Sequence, residues 1–90
     1  MRLDLFLKLS RICPRRSLAQ QLCDAGFVLV NGHQAKPAHI VKRGDQIKLK
    51  RRDEETEFRV TGVPETRNVA KRNAHELIEL ISRKKFEDLD

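Results

Sequence analysis

Three features of the 90-residue chain predict an α+β domain: two N-terminal helices packed on a small, mostly antiparallel sheet, followed by a C-terminal helix. From Leu3 to Ala25 apolar residues recur at helical spacing, broken at Pro14. From Phe27 to Val63 they alternate with the two-residue period of strands, punctuated by Asn31-Gly32 and Gly44-Asp45. Beyond Asn68 helical spacing returns, at Ala70, Ala74, Leu77 and Ile81. The expected organisation is one domain over residues 1–83, with its core motif in 1–50, a strand and helix in 57–83, and a frayed tail at 84–90.

Each element has a local reason. The first helix is predicted over Leu3–Ile12, where Leu3, Phe6 and Leu7 form one stripe and Leu5, Leu9 and Ile12 its neighbour; Lys8 and Arg11 share the polar face. Asp4 falls in the first turn, where its charge complements the helix dipole. Pro14 stops this helix. Ser17 with Gln20 reads as a capping box for the second, whose Leu18, Leu22 and Ala25 share a face and whose end is set by Gly26. Phe27–Val30 is a β-rich run closed by Asn31-Gly32, so His33–Ala35 pairs back as a hairpin. After the Lys42-Arg43-Gly44-Asp45 turn, Gln46–Lys50 alternates with Ile47 and Leu49 inward. Glu57–Val63 alternates likewise after an acidic turn at Asp53-Glu54-Glu55.

Charge narrows the function. The net +6 hides an asymmetry: residues 1–52 carry 12 Lys or Arg against 3 acids, residues 53–90 carry 7 against 10. The basic footprint therefore belongs to the first part, and it suits nucleic acid, an anionic membrane or an acidic protein. The second part is expected to support the fold or a protein contact more than RNA. Four Phe with no Trp or Tyr leave few platforms for stacking bases, which favours recognition by shape and charge. Asp4 and Lys8 interrupt the only leucine-rich start, so no membrane segment is expected and a cytoplasmic chain is. Cys13 and Cys23 lack metal-ligand spacing and read as a loop thiol and a small helical core residue. His33, His39 and His75 are too scattered for a metal site. No nucleophile, base and orienting group recur at a pairing distance, so no catalytic residues, enzyme activity or cofactor is expected.

Arg2-Leu3-Asp4, Arg11, Arg16, Ala19, Leu22, Gly26, Val28, Val30-Asn31-Gly32, Lys36-Pro37, Val41, Gly44-Asp45 and Ile47 follow one another in an order that resembles the S4 RNA-binding domain. The start MRLDLFLKLSR, Arg15-Arg16 before Ser17-Leu18-Ala19, and Asn31 to Lys36 look most like the branch of small bacterial RqcP proteins, and next like the ribosome-associated heat-shock branch. Arg15 where many S4 domains have Ser, and Cys23 at a common aliphatic position, are departures; the first fits the RqcP-like branch and adds charge. The resemblance implies an S4-like (alpha-L) fold.

Read physically, Arg2, Arg11, Arg15 and Arg16 converge on the helix corner, where guanidinium forks hold phosphate oxygens bidentately, or some of them pair internally, as Arg2 would with Asp4 or Asp24. Lys8 shares the helix face of Arg11. In an S4-like fold Lys36, Lys42 and Arg43 lie in loops flanking that corner, and phosphate contact and plain solvation remain equally open for them. Lys48, Lys50, Arg51 and Arg52 form a basic edge that either steers RNA or protects an edge strand. The resemblance further implies a monomeric factor for the large ribosomal subunit obstructed by peptidyl-tRNA. It would contact rRNA and tRNA and assist tailing of the stalled nascent chain beside a tRNA-recruiting quality-control partner protein. The alternative is a heat-shock-type factor that moves tRNA on the same subunit; a DNA-binding helix-turn-helix stands third.

Overall fold

The computed structural model describes residues 1–64 and 76–86. Helices α1 (Leu3–Leu9) and α2 (Arg16–Asp24) precede strands β1 (Val28–Val30), β2 (His33–Gln34), β3 (Gln46–Lys50), β4 (Glu54–Val60) and β5 (Ile78–Lys85). The strands form one sheet in the order β2-β1-β3-β4-β5, antiparallel throughout. Val28 and Val30 stand opposite Leu49 and Ile47, and those oppose Thr56 and Phe58. One face therefore carries the apolar set, and it closes on Leu3, Phe6 and Leu7 of α1 and on Ala19 and Cys23 of α2. Phe6 is fully buried, and truncating such a ring costs about 3–5 kcal/mol. The opposite face is solvated: Lys48 lies between Glu55 and Glu57, and Arg59 faces Glu79.

Several element ends differ from the sequence expectation. α1 stops at Leu9, short of Ile12: Ser10 caps it and Arg11 takes a left-handed φ of 67°, its amide donating to the Lys8 carbonyl. Arg11 therefore lies beyond the helix and not on Lys8's face. Ser17 is not the cap of α2. Arg15 occupies the N-cap without a side-chain bond, and Gln20 turns to α1 instead, donating to Asp4 Oδ2 at 2.9 Å. The C-terminal signal was read correctly: the Gly26 amide donates to Cys23 and that of Phe27 to Leu22, with Gly26 at φ +83°. Asn31 and Gly32, at φ 52° and 86°, close the β1–β2 hairpin as a type I′ turn. Asn31 also ties that turn to the next one, accepting from the Gln46 amide and donating to Asp45.

The C-terminal helix is the largest correction. Its first part, from Asn68 to His75, lies outside the described residues, but Ile78–Ile81, expected as helix, begins β5. Lys84 and Lys85, expected to fray, pair with Glu55 and Glu54 of β4. Strand β4 itself begins at Glu54, where an acidic turn was expected, so the β3–β4 connection is only residues 51–53. The register shift between Glu57 and Phe58 leaves Ile81 without a cross-strand partner, a bulge that hides the two-residue period. Both cysteines are free and buried, and burial pushes the Cys13 thiol up and that of Cys23 up to about 11. No helix among the described residues is long and apolar enough to cross a membrane.

Candidate nucleic-acid interface

Asp4 organises the first cluster of cations. It is fully buried although charged, and its oxygens collect donors from three elements. The Leu5 amide donates to Oδ1 at 2.7 Å, Gln20 Nε2 to Oδ2 at 2.9 Å, and Arg2 brings Nε and Nη2 to the two oxygens at 3.3 and 3.2 Å. Arg16 Nε stands 3.2 Å from Oδ2; that nitrogen is buried and held by charge without an aligned hydrogen bond. Burial alone would raise the Asp4 pKa. The Gln20 bond, the Arg16 guanidinium, the Leu5 amide and Arg2 outweigh it and hold the carboxyl below its ordinary value.

Around this anion the arginines are fixed but not enclosed. The side chains of Arg2 and Arg16 keep 47% and 36% of their surface in solvent, so each presents part of its fork outward from a charged anchor. Arg15, the neighbouring N-cap, is exposed, and α2 has neither a capping side chain nor an acid in its first turn. Its positive end is thus uncompensated by the chain, which favours an external anion beside Arg15 and Arg16. α1 differs: its amides at Leu3 and Asp4 are taken by the carbonyls of His39 and Pro37.

Those same bonds dock the residue 36–41 loop. Arg2 forms an isolated bridge with Ile40, and the Val41 amide donates to the Met1 carbonyl. Exposed Lys36 and Lys42 flank this short ladder at its two ends, and Arg43 follows in the turn where Asp45 accepts from the Lys42 amide. The structure therefore brings Arg2, Arg15 and Arg16 together at the start of α1, with Lys36 and Lys42 at the ends of the loop docked there and Arg43 farther off, in the turn whose Gly44 amide donates to Val60. Arg11 stands apart from them in the left-handed turn past the end of α1, and Lys8 lies one helical turn beyond Asp4.

Of the internal pairs open to Arg2, the one with Asp4 is present. Sequence reasoning missed that Arg16 and Gln20 also reach Asp4, which it placed in the helix dipole; a carboxylate inside an otherwise apolar helical stripe was the available signal. Arg83 and Lys85 belong to the part expected to support the fold or a protein contact more than RNA. They line a cleft of about 350 Å³ with Arg11 and Arg51, on the sheet face beyond the end of α1. Among the described residues no group of three or more His, Cys, Asp or Glu is placed to hold a metal ion.

Comparison with known proteins gives this geometry its family. Residues 1–47 match the S4 domain. The chain is 41% identical over 80 residues to the RQC P-site tRNA stabilizing factor of Halalkalibacterium halodurans, covering 89% of each chain. It is 33% identical over 70 residues to the heat shock protein 15 homolog of Haemophilus influenzae, covering 78% of this chain and 53% of that one. The trimeric structure of Vibrio cholerae Heat Shock Protein 15 superposes with a TM-score of 0.79 at 31% identity, covering 91% of this chain and 82% of that one. With its arginines set on an S4 scaffold and its similarity to the relative covering 89% of its length, the chain belongs to the S4 domain family, in the RNA-binding, ribosome-associated quality-control branch of the RqcP proteins.

Proposed function

We propose that this chain is a non-catalytic RNA-binding factor that docks on the large ribosomal subunit obstructed by peptidyl-tRNA and holds the tRNA while the stalled nascent chain is tailed. The observation that carries the reading is the pair of arginines, Arg2 and Arg16, each 3.2 Å from one buried carboxylate. A rigid pair of partly exposed forks suits the phosphate geometry of folded RNA, whose bases lie in a deep groove that side chains do not enter. Arg15 and the uncapped start of α2 extend the contact. Lys36, Lys42 and Arg43 supply flanking phosphate contacts. Lys8 lies farther along α1, and Arg11 lies in the turn beyond its end. The protein acts in the cytoplasm as a monomer, beside a partner protein that recruits tRNA. The printed name of the Halalkalibacterium halodurans relative, a P-site tRNA stabilizing factor, supports this reading.

A heat-shock-type role, moving tRNA on the obstructed subunit without tailing, is favoured by the superposition on Vibrio cholerae Heat Shock Protein 15. The two roles part in one experiment: tail synthesis on purified obstructed subunits with the tRNA-recruiting partner present. Added protein raises tail yield under the first reading. Tail synthesis unchanged, with tRNA displaced, would establish the second.

A further inference from the structure

Beyond the end of α1 the sheet carries a surface whose lining, apart from Arg11 and Ile12, lies past the S4 match, which ends at residue 47. Opposite residues of an antiparallel pair share a face, so Phe58 with Leu80, Thr56 with Arg83 and Glu54 with Lys85 all lie on the side that elsewhere packs against the helices. Here the helices have ended. Ile12 and Phe58 form an apolar part of the cleft, Arg11 reaches it from its left-handed turn, Arg51 from the β3–β4 turn, and Arg83 and Lys85 from β5. Four cations thus line one concavity against a single acid, Glu54, and that acid is already engaged by Arg83 at 2.8 Å and by the Thr56 hydroxyl at 3.3 Å. Arg51 and Lys85 make no ion pair among the described residues.

We infer that this cleft is a second RNA-backbone site: a phosphodiester strand lies along Arg11, Arg51 and Lys85, with a ribose or base edge against Phe58. The inference rests on the RNA-binding reading above and extends it to β5, where the acidic balance of residues 53–90 pointed to the fold or a protein contact more than to RNA. Charge alone misleads there because the acids and cations of β4 and β5 divide between faces. Glu55, Glu57 and Glu79 belong to the opposite face, where Lys48 and Arg59 face them. A strand spanning both sites would follow α1 from Arg2 to Arg11, crossing exposed Lys8.

The test is cosedimentation of the full chain with purified large ribosomal subunits over a salt series, with melting temperature recorded in parallel. The double variant Arg51→Ala/Lys85→Ala is compared with Arg59→Ala/Lys84→Ala, which removes the same charge from the opposite face. The cleft variant is expected to bind about tenfold more weakly, with a slope of log K against log salt flatter by roughly 1.4 to 1.8, the value for two lost phosphate contacts. The control variant should stay within about threefold with its slope unchanged. Equal loss in both variants overturns the cleft and leaves diffuse attraction. Unchanged binding of the cleft variant, with wild type bound, overturns the cleft alone. Failure of the wild-type chain to bind overturns the RNA-binding reading and the cleft with it. A cleft variant that loses its cooperative melting is replaced by Arg51→Gln/Lys85→Gln, judged by the same two criteria.

Discussion

The two ends of α1 hold their cations in opposite ways. At its start, Arg2 and Arg16 converge on Asp4, a charge with none of its surface in water, so position is bought with one cancelled unit of charge. At its far end, Arg11, Arg51 and Lys85 line a cleft whose one acid, Glu54, is committed to Arg83 and Thr56. The first arrangement fixes a few guanidinium forks in known directions; the second concentrates positive potential with little constraint on where each side chain points. A folded RNA junction needs the former for register and gains affinity from the latter. The contrast also bears on stability, since Arg2 and Arg16 are tied to the fold through Asp4 whereas Arg51 and Lys85 of the cleft make no ion pair among the described residues.

Asp4→Ala should have the largest effect and strike stability first. It strands the Leu5 amide, Gln20 and the buried Nε of Arg16 together. Because the guanidiniums still reach solvent, the loss should lie near the lower end for a broken buried pair, about 3 kcal/mol. For a domain of this size that lowers Tm by at least roughly 12 °C, measured by circular dichroism. A loss below about 1 kcal/mol would show that the carboxylate is incidental.

Arg16→Ala comes next and sharpens the division of roles. Removing one charge-assisted phosphate bond should weaken subunit binding about ten- to a hundredfold. Because Arg16 also faces Asp4, stability should fall by about 1 kcal/mol, in contrast to Arg15→Ala, whose exposed N-cap side chain makes no capping bond and should cost less than about 0.5 kcal/mol. Equal melting temperatures for the two variants would detach Arg16 from the Asp4 cluster.

Acid should act on the start of α1. Since the folded Asp4 pKa lies below its ordinary 3.8, the unfolded chain takes up the proton first as pH falls. The contribution of Asp4 to stability is thus complete above about pH 3.8 and is lost as pH descends through the folded value. Urea midpoints followed from pH 6 to pH 2 should fall more steeply below pH 4 in wild type than in Asp4→Asn; parallel curves would remove Asp4 from the acid response. The smallest effect is expected for Lys48→Ala on the solvated sheet face, within about 0.5 kcal/mol in stability and about threefold in subunit binding.

How far the sequence revealed all this follows from range. Asn31-Gly32 and Gly26 were legible because a turn is decided by the residues in it, and both adopt the positive φ that their types favour. The anchor at Asp4 was not, because Arg16 and Gln20 meet it across two helices, and nothing in the spacing between Asp4 and Arg16 announces a contact. β5 was read as helix for a related reason. Leu77 and Ile81 fit a helical repeat, the bulge at Ile81 breaks the strand period, and the outer residues of an exposed strand need not be apolar. What holds Ile78–Lys85 extended is β4, whose paired residues lie 18 to 31 positions earlier in the chain. Of the arginines expected at the corner, Arg2 and Arg16 meet there on Asp4, whereas Arg11, expected beside Arg16, lies at the other end of α1.

The central claim is that position, set by Asp4, matters more than net charge. Asp4→Asn tests it directly, because the variant keeps the shape of the side chain while raising the net charge by one from +6. The measurement is affinity for purified large subunits at fixed salt, at a temperature where circular dichroism shows both proteins folded. If Asp4 orients Arg2 and Arg16, affinity falls about tenfold despite the added positive charge, as expected for one displaced charge-assisted contact. Unchanged or tighter binding would mean that the chain attracts RNA by its charge alone and that the cluster at the start of α1 serves only the fold.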